Sequence, residues 1–225
     1  MNLRRKNPIT ALIVLLFSML LFAQDFQYGK FTIAQIHYDG GGDWYANPSA
    51  LPNLLQFIAE HTKINLNMKP AKVRLDENDL FNYPYIYITG HGNIKFSDTE
   101  VKNLRLFFDS GGFLHADDNY GMDKSFRREI AKIFPNEEWI ELPFEHEIYH
   151  QTFSFPSGLP KIHEHDNKPP QGFGIFRNGR LVIFYTYECD LGDGWEDPHV
   201  HKDPEHLRRK ALQMGTNIVV YALTN

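Results

Sequence analysis

The alternation of apolar and polar residues divides the chain into short strands and amphipathic helices. Residues 31–38 alternate with a period of two and are rich in β-forming side chains, which is typical of a half-buried strand. Residues 83–89 form a continuous run of aromatic and β-branched residues, which predicts a strand buried on both faces. The other predicted strands are 72–75, 113–116, 138–142 and a hairpin over 174–188 that turns at Asn178-Gly179.

Helical stretches separate these strands. Asn47 is predicted as the N-cap of a helix that runs to about residue 61, with Pro48 at its first position. Ser97 and Glu100 match a capping box, so a second helix is predicted to begin there. Further helices are predicted over about 123–134 and 204–222. Residues 143–172, with five prolines and four histidines, are predicted to form a long ordered surface loop, and a loop of this length in a compact domain usually covers a site or is disordered.

This succession of elements indicates the fold class. Strands that alternate with helices predict an α/β protein with three layers and a mostly parallel, flavodoxin-like central sheet, completed by a β-hairpin and a C-terminal helix. The chain has 225 residues, of which 42% are hydrophobic, and this is enough to bury the core of one domain. We place that single domain at residues 24–225.

The first 23 residues have a different character. Three basic residues at 4–6 precede a nearly unbroken aliphatic run from 9 to 22, which is typical of a secretory signal peptide cleaved after Ala23. The apolar run is shorter than the roughly 20 residues that a membrane span needs. Leu21 departs from the small-residue pattern of cleavage sites, so an uncleaved anchor, and with it membrane contact, stays open. The expected location is the periplasm or cell envelope.

Charge and cysteine content exclude several functions. The chain carries 23 Lys and Arg against 28 Asp and Glu, a net charge of −5, and removal of the three basic leader residues changes this to −8. A domain this acidic is a poor candidate for nucleic-acid binding. The single cysteine, Cys189, cannot form an internal disulfide, and we interpret it as a small buried residue rather than a nucleophile.

Polar residues and glycines follow four of the predicted strands. In open α/β sheets ligands bind beyond the carboxyl ends of the strands, so these residues are expected to share one rim. The candidate ligand-binding residues are Gly41, Asp43, Trp44, His91, Asp118, Asp190, Asp193 and Trp195. We expect the rim to bind a small polar or carbohydrate-like ligand, or an envelope protein, and its aromatic residues fit either sugar stacking or core packing.

A second chemistry is open at the same rim. His115 and Asp117 are two residues apart on a strand and therefore point to one face, and Glu188 and Asp190 share that spacing. With Glu188, His115 and Asp117 could act as the catalytic groups of a hydrolase, or they could bind a zinc- or manganese-like divalent metal, the one cofactor the sequence suggests. The loop adds further candidate ligands, namely His146, His150, His163 and His165. The same residues also fit an ordinary strand end at the protein surface.

Seven segments of the chain together resemble the uncharacterised DUF4159 family. They are IHYDGGGDWY (36–45), YITGHG (87–92), LRLFFDSGGFLHADD (104–118), HEIYH (146–150), FPSGLPKI (155–162), GRLVIFYTYECDLGDGWE (179–196) and MGTNIVVYAL (214–223). The resemblance runs from about residue 31 to the C-terminus. It implies a class I glutamine amidotransferase-like fold, and it brings no established activity.

The resemblance also bears on catalysis. The relatives of that fold use a cysteine on a strand–turn–helix elbow, with a histidine, a glutamate and an oxyanion loop after an earlier strand. Gly90-His91-Gly92 is similar in place to the loop, but the elbow here carries Ala116 and Asp117, and no Cys-His-Glu set can be assigned. The resemblance therefore implies the scaffold without glutaminase activity.

Overall fold

The computed structural model describes residues 29–225, and Phe31–Asn225 form one compact unit. The strands are β1 (Ile33–Ile36), β2 (Ala71–Val73), β3 (Tyr85–Gly90), β4 (Phe113–Asp118), β5 (Ile140–Glu141), β6 (Gln171–Arg177) and β7 (Arg180–Tyr187). They form a single sheet in the order β2-β1-β3-β4-β7-β6-β5. The first five strands in that order are parallel to one another. Strand β6 pairs antiparallel with β7, and β5 pairs antiparallel with β6. This confirms the predicted α/β class, and the order of the parallel strands is that of flavodoxin-like folds.

Helices cover both faces of the sheet, which gives the three predicted layers. The helices are α1 (Ala50–His61), α2 (Asp98–Asp109), α3 (Asp123–Ile133), α4 (Leu191–Trp195) and α5 (Glu205–Thr224). Successive residues of β3 face opposite sides of the sheet: Tyr85 and Tyr87 pack into the core under α1 and α5, whereas Ile86 and Ile88 pack into the core under α2 and α3. The predicted C-terminal helix is present as α5.

The start of α1 differs from the prediction that Asn47 is its N-cap. The helix begins at Ala50, and Asn47 lies in the left-handed region with φ 57°. The cap comes from a distant carboxylate instead, because Glu196 Oε1 accepts hydrogen bonds from the backbone N–H groups of Ser49 (2.7 Å) and Ala50 (3.1 Å). The Asn47 amide is thereby free to contact other residues of the rim.

Other local predictions can be compared directly with the structure. The capping box is confirmed, since Ser97 Oγ accepts from Glu100 N at 3.3 Å and Glu100 Oε2 accepts from Ser97 N at 2.7 Å. The strand predicted over 138–142 is too long. The regular strand is Ile140–Glu141, both residues of which are exposed at the sheet edge, and Leu142 N adds one further hydrogen bond to the Gly172 carbonyl oxygen of β6 at 2.8 Å. The strand is short because β5 lies at the edge of the sheet and has only one neighbouring strand to pair with, and because Pro143, which has no N–H to donate, follows soon after it.

The membrane question concerns two parts of the chain. Within residues 29–225, no helix is both long and apolar enough to cross a bilayer. The predicted signal peptide, residues 1–23, lies outside the described residues, and its cleavage stays a prediction.

Candidate functional site

The parallel pairing of β4 with β7 brings two polar strand ends together. In their register Asp117 lies opposite Thr186, so Asp118 and the Glu188–Asp190 turn follow at the same edge of the sheet. Because neighbouring residues of a strand point to opposite faces of the sheet, the side chains of Asp117 and Asp118 have different surroundings. Asp117 faces α4, whereas Asp118 faces an open cleft.

His115 lies inside the protein rather than at its surface. Its ring is fully buried, Nδ1 lies 3.0 Å from the Tyr85 hydroxyl, and Nε2 lies 3.2 Å from Thr186 Oγ1. Burial lowers the pKa of His115 to about 3, which keeps the ring neutral. Both ring nitrogens are engaged, so a catalytic or metal-binding role for His115 stays a prediction that would require these contacts to break.

Asp117 is a fully buried carboxylate that fixes the start of α4. Its oxygens accept hydrogen bonds from Thr186 Oγ1 (2.5 Å), Leu191 N (3.3 Å) and Gly192 N (2.7 Å). Burial raises the pKa of Asp117 to about 7 despite these donors. The residue therefore joins β4, β7 and α4, and its predicted role in catalysis is untested.

The buried carboxyl groups make stability dependent on pH. Burial raises the pKa of Asp117 to about 7 and that of Asp118 to about 6, from an ordinary value of 3.8. The folded protein thus holds protons that the unfolded chain has lost, so these groups contribute stability that is present below pH 4 and lost as the pH rises to 7. We expect urea denaturation to give a smaller stability advantage of wild type over Asp117→Asn at pH 7.5 than at pH 5. An advantage that grows with pH would contradict this.

A cleft of about 340 Å³ opens beside the ends of β4 and β7. We call it the rim cleft; it is lined by Asp118, Tyr120, Gly121, Asp123, Lys124, Asp166, Lys168, Tyr187 and Glu188. The Glu188 carboxylate is almost fully buried and forms ion pairs with Lys161 Nζ at 3.1 Å and Lys168 Nζ at 3.5 Å. The cleft therefore combines carboxylates and ammonium groups with the rings of Tyr120 and Tyr187.

Next to the cleft, the long loop places histidines against the turn that carries α4. We call His163, His165, His201, Asp190 and Asp193 the histidine–aspartate cluster. His163 Nδ1 lies 2.8 Å from Asp193 Oδ2, and His201 Nε2 lies 3.6 Å from Asp193 Oδ1. His165 Nε2 lies 2.7 Å from Asp190 Oδ2. The donors form two groups that share His163, one with His165 and Asp190 and one with Asp193 and His201, and within each group one donor atom per residue lies within 4.8 Å of the others.

Electrostatics differ across the cluster. The hydrogen bond to Asp193 raises the pKa of His163 to about 9. Burial raises the pKa of Asp190 to about 8, and the charges of Asp117 and Asp193 add to this effect. Burial works in the same direction on Asp193, but the hydrogen bond from His163 and the charge of His201 hold its pKa below the ordinary value. Near pH 7 the cluster therefore pairs an ionised Asp193 with a protonated His163, whereas Asp190 is held mostly in its neutral form.

The cleft and the cluster adjoin through one aromatic contact. The Tyr120 ring, which lines the cleft, stacks on His165 with centroids 4.4 Å apart and planes at 19°. Tyr120, Glu188 and Asp190 all have positive φ, at 66°, 58° and 54°. Non-glycine residues rarely adopt this conformation, and where it is held in place it concentrates at functional sites.

The remaining predicted ligand-binding residues lie elsewhere. At the ends of β1 and β3, His91 Nδ1 lies 3.0 Å from Asp43 Oδ2, beside the exposed turn that contains Gly41. Trp44 stacks on His37 with ring centroids 4.0 Å apart, and Trp195 is fully buried in the core. Their binding roles stay predictions.

The structure also gives the surroundings of the two other loop histidines, His146 and His150, and of Cys189. His150 Nε2 lies 2.8 Å from the Phe144 carbonyl oxygen, and His146 packs on Tyr221 with ring centroids 5.5 Å apart. Cys189 is fully buried, and burial raises its thiol pKa well above the ordinary value. This confirms Cys189 as a small buried residue, since a protonated buried thiol is a poor nucleophile.

Sequence reasoning missed several residues at the rim, among them Lys161, Lys168, Tyr187 and Asp203. Asn47 is predicted only as a helix N-cap, whereas its amide contacts Asp193. The available signal was a His-x-His spacing that occurs twice, at 163/165 and 199/201. Such a pair places two imidazoles on one face of an extended segment, which is a common arrangement of metal ligands.

These observations define an α/β protein with a flavodoxin-like order of parallel strands, whose strand-end rim carries a polar cleft and a histidine–aspartate cluster. The sequence pattern of DUF4159, described as a domain of unknown function, matches residues 32–223. Because the match covers most of the chain, the protein belongs to the DUF4159 family. No curated protein matches the sequence.

Proposed function

We propose that the protein is exported to the cell envelope and that its rim cleft binds a small hydroxyl-rich ligand such as a sugar. The observation that carries the proposal is the composition of the cleft: carboxylates, ammonium groups and two tyrosine rings face a volume of about 340 Å³. Ligand pockets start at roughly 300 Å³, so the cleft suits a monosaccharide-sized molecule. The basic and aliphatic leader at residues 1–23 supports export.

Each class of lining residue fits one feature of such a ligand. The carboxylates of Asp118 and Glu188 accept hydrogen bonds from hydroxyl groups, and the Lys168 ammonium donates to ring and hydroxyl oxygens. The faces of Tyr120 and Tyr187 offer apolar surface to the C–H face of a sugar ring. The four carboxylates of the wall outnumber its two ammonium groups, which disfavours an anionic ligand by repulsion.

A hydrolase at the same rim is the second candidate. It is supported by the position of Asp118 in the cleft, where burial raises its pKa to about 6, a range suited to a general acid near neutral pH. Of the groups predicted for this role, Glu188 lines the cleft, whereas His115 and Asp117 are buried beside it. A hydrolase converts its ligand, so product analysis after incubation distinguishes it from a binding protein or a docking site for an envelope protein.

Substitution of Tyr120 tests the binding proposal. The side chain is 46% exposed and φ is 66°, so Tyr120→Asn removes the ring with a residue that tolerates this backbone. Using neutral mono- and disaccharides as probes, we expect thermal stabilisation of the wild type. Calorimetry should then show about three- to ten-fold weaker binding by the variant, because a stacked ring contributes about 0.5 to 1.5 kcal/mol.

Tyr45→Asn is the matched control. Tyr45 is 63% exposed and lies next to Trp44, outside the cleft lining, so its loss should leave sugar binding unchanged. Equal weakening by both variants, or stabilisation by anionic compounds only, would overturn the proposal. Product formation with the wild type would favour the hydrolase.

A further inference from the structure

We propose that the histidine–aspartate cluster binds a divalent transition metal of the zinc type, with His163, His201 and Asp193 as its primary ligands. This site goes beyond sugar binding in the rim cleft. It also differs from the metal set predicted from sequence, because His115 is enclosed by Tyr85 and Thr186.

The distances fit a small coordination sphere. Zinc binds nitrogen and oxygen at about 2.0–2.1 Å, so two ligands of a tetrahedral site lie roughly 3.3 Å apart. The separations here, 2.8 Å between His163 Nδ1 and Asp193 Oδ2 and 3.6 Å between His201 Nε2 and Asp193 Oδ1, bracket that value. One donor atom from each of the three residues lies within 4.8 Å of the others.

Further donors stand beside this set. His165 and Asp190, 2.7 Å apart, form a second group of converging donors with His163. A fourth ligand can therefore come from either residue or from water. A donor set dominated by imidazole, with carboxylate oxygen, suits zinc-like ions better than magnesium or calcium, which prefer oxygen ligands.

The ligands are held in orientation by a second layer of hydrogen bonds. His163 Nε2 lies 2.8 Å from Asp203 Oδ1, which leaves Nδ1 directed at Asp193. The Asn47 amide donates to Asp193 Oδ1 at 2.7 Å. Carboxylates that orient a metal-bound histidine in this way are a regular feature of zinc sites.

Unpartnered polar atoms at the cluster provide an independent observation. The Asp203 side chain is 7% exposed, and its Oδ2 is buried without a hydrogen-bond partner among residues 29–225. In the same part of the chain, the Asn119 side-chain nitrogen is buried and has no partner, although Asn119 Oδ1 contacts the Asn47 amide at 3.3 Å. Buried atoms of this kind are usually satisfied by an ion or by ordered water, and both residues contact the side chains that form or orient the proposed ligand set.

Metal content can be measured without knowledge of any activity. Protein purified without a histidine tag and stripped with EDTA would be loaded with Zn²⁺ or Co²⁺ and dialysed. We expect about one metal per chain by elemental analysis, and visible absorption of the Co²⁺ form that indicates a four-coordinate site. His201→Ala should lose this metal. The matched control His199→Ala removes an exposed histidine of the same segment and should retain it.

A second variant keeps the test decisive. His163→Ala also removes the contact to Asp203, so a folding defect would obscure its result; Asp203→Asn leaves the ligands in place and should weaken zinc affinity about 10- to 100-fold. Sub-stoichiometric metal in the wild type, or equal metal content in His201→Ala and His199→Ala, would overturn the proposal. The cluster would then be a network of ion pairs without a metal site. Tyr120→Asn removes a ring of the sugar site but none of the metal ligands, so it should still bind about one metal per chain. A failure of sugar binding can thus be distinguished from a failure of metal binding.

Discussion

We expect Asp117→Ala to lose about 2 to 6 kcal/mol of unfolding free energy. The substitution removes the acceptor for two buried backbone N–H groups, those of Leu191 and Gly192, at the start of α4. Each donor left unsatisfied costs about 1 to 3 kcal/mol. Thr186 is affected less, since its hydroxyl also lies 3.2 Å from the Ala116 carbonyl oxygen. A loss of this size is a large fraction of the 5 to 15 kcal/mol typical of a domain, and urea denaturation would measure it.

Two variants separate this effect from simple loss of charge. Asp117→Asn retains an acceptor for Gly192, and the Thr186 hydroxyl can rotate to accept from the new amide. Only the longer bond from Leu191 N (3.3 Å) is lost, so we expect this variant to keep more of the stability than Asp117→Ala. Asp118→Ala removes the adjacent carboxylate, whose backbone donor, Met122 N, lies at the longer distance of 3.4 Å. If Asp118→Ala destabilises as much as Asp117→Ala, the account based on α4 is wrong.

The elements that local periodicity specifies are predicted well from the sequence. The apolar run of β3, the capping box of α2 and the Asn178-Gly179 turn between β6 and β7 all depend on neighbours within a few residues. In the turn both residues have positive φ, 53° and 79°, which is the conformation that this dipeptide favours. Short-range chemistry decides these elements, so the sequence suffices for them.

Elements stabilised by distant residues are not predictable in this way. The N-cap of α1 is supplied by Glu196, 147 positions from Ser49, and the start of α4 depends on Asp117, 75 positions from Gly192. At five residues, α4 is also too short to show a helical period. The local preference of Asn47 for an N-cap loses to its hydrogen bond with Asp193 in the folded protein.

The candidate site likewise has features that local sequence predicts and features that depend on distant residues. The sequence predicts that polar residues meet at the carboxyl ends of the strands, because this follows from the parallel sheet. It cannot predict how they divide between faces, since Asp117 and Asp118 are adjacent in the chain yet one supports α4 and the other lines the cleft. Nor does it show which loop histidines reach the rim, because His163 and His165 do so while His146 packs on Tyr221.

The arrangement of the rim indicates how the two proposed sites could influence each other. The long loop carries His163 and His165 to the cluster and Lys168 to the cleft, and Tyr120 stacks on His165 between them. A metal bound at the cluster would order this loop, and the loop forms part of the cleft wall. Ligand in the cleft and metal at the cluster would then stabilise the same loop conformation, so each is expected to favour the binding of the other.

The core beneath this rim should be the most sensitive part of the protein. Trp195 is the last residue of α4 and is fully buried, and its Nε1 donates to the Ala211 carbonyl oxygen at 2.8 Å. The ring packs so closely on Gly215 of α5 that a Cβ added to this glycine would lie only 2.7 Å from Trp195 Cζ2. This close packing against α5 leaves a large cavity when the ring is deleted. We expect Trp195→Ala to lose about 3 to 5 kcal/mol of unfolding free energy, measured by urea denaturation.

The controls for this variant distinguish a packing role from the ligand-binding role predicted for Trp195. Trp195→Phe restores most of the volume and should recover most of the stability, although the bond to Ala211 is lost. Trp44→Ala should cost far less, because Trp44 is only partly buried and stacks on His37 near the edge of the sheet. Stability close to wild type in Trp195→Ala, together with lost sugar binding, would instead assign Trp195 to the ligand. Because the ring is fully buried and belongs to α4, which also carries Asp193, we expect the opposite: lost stability, with metal affinity weakened as α4 loosens.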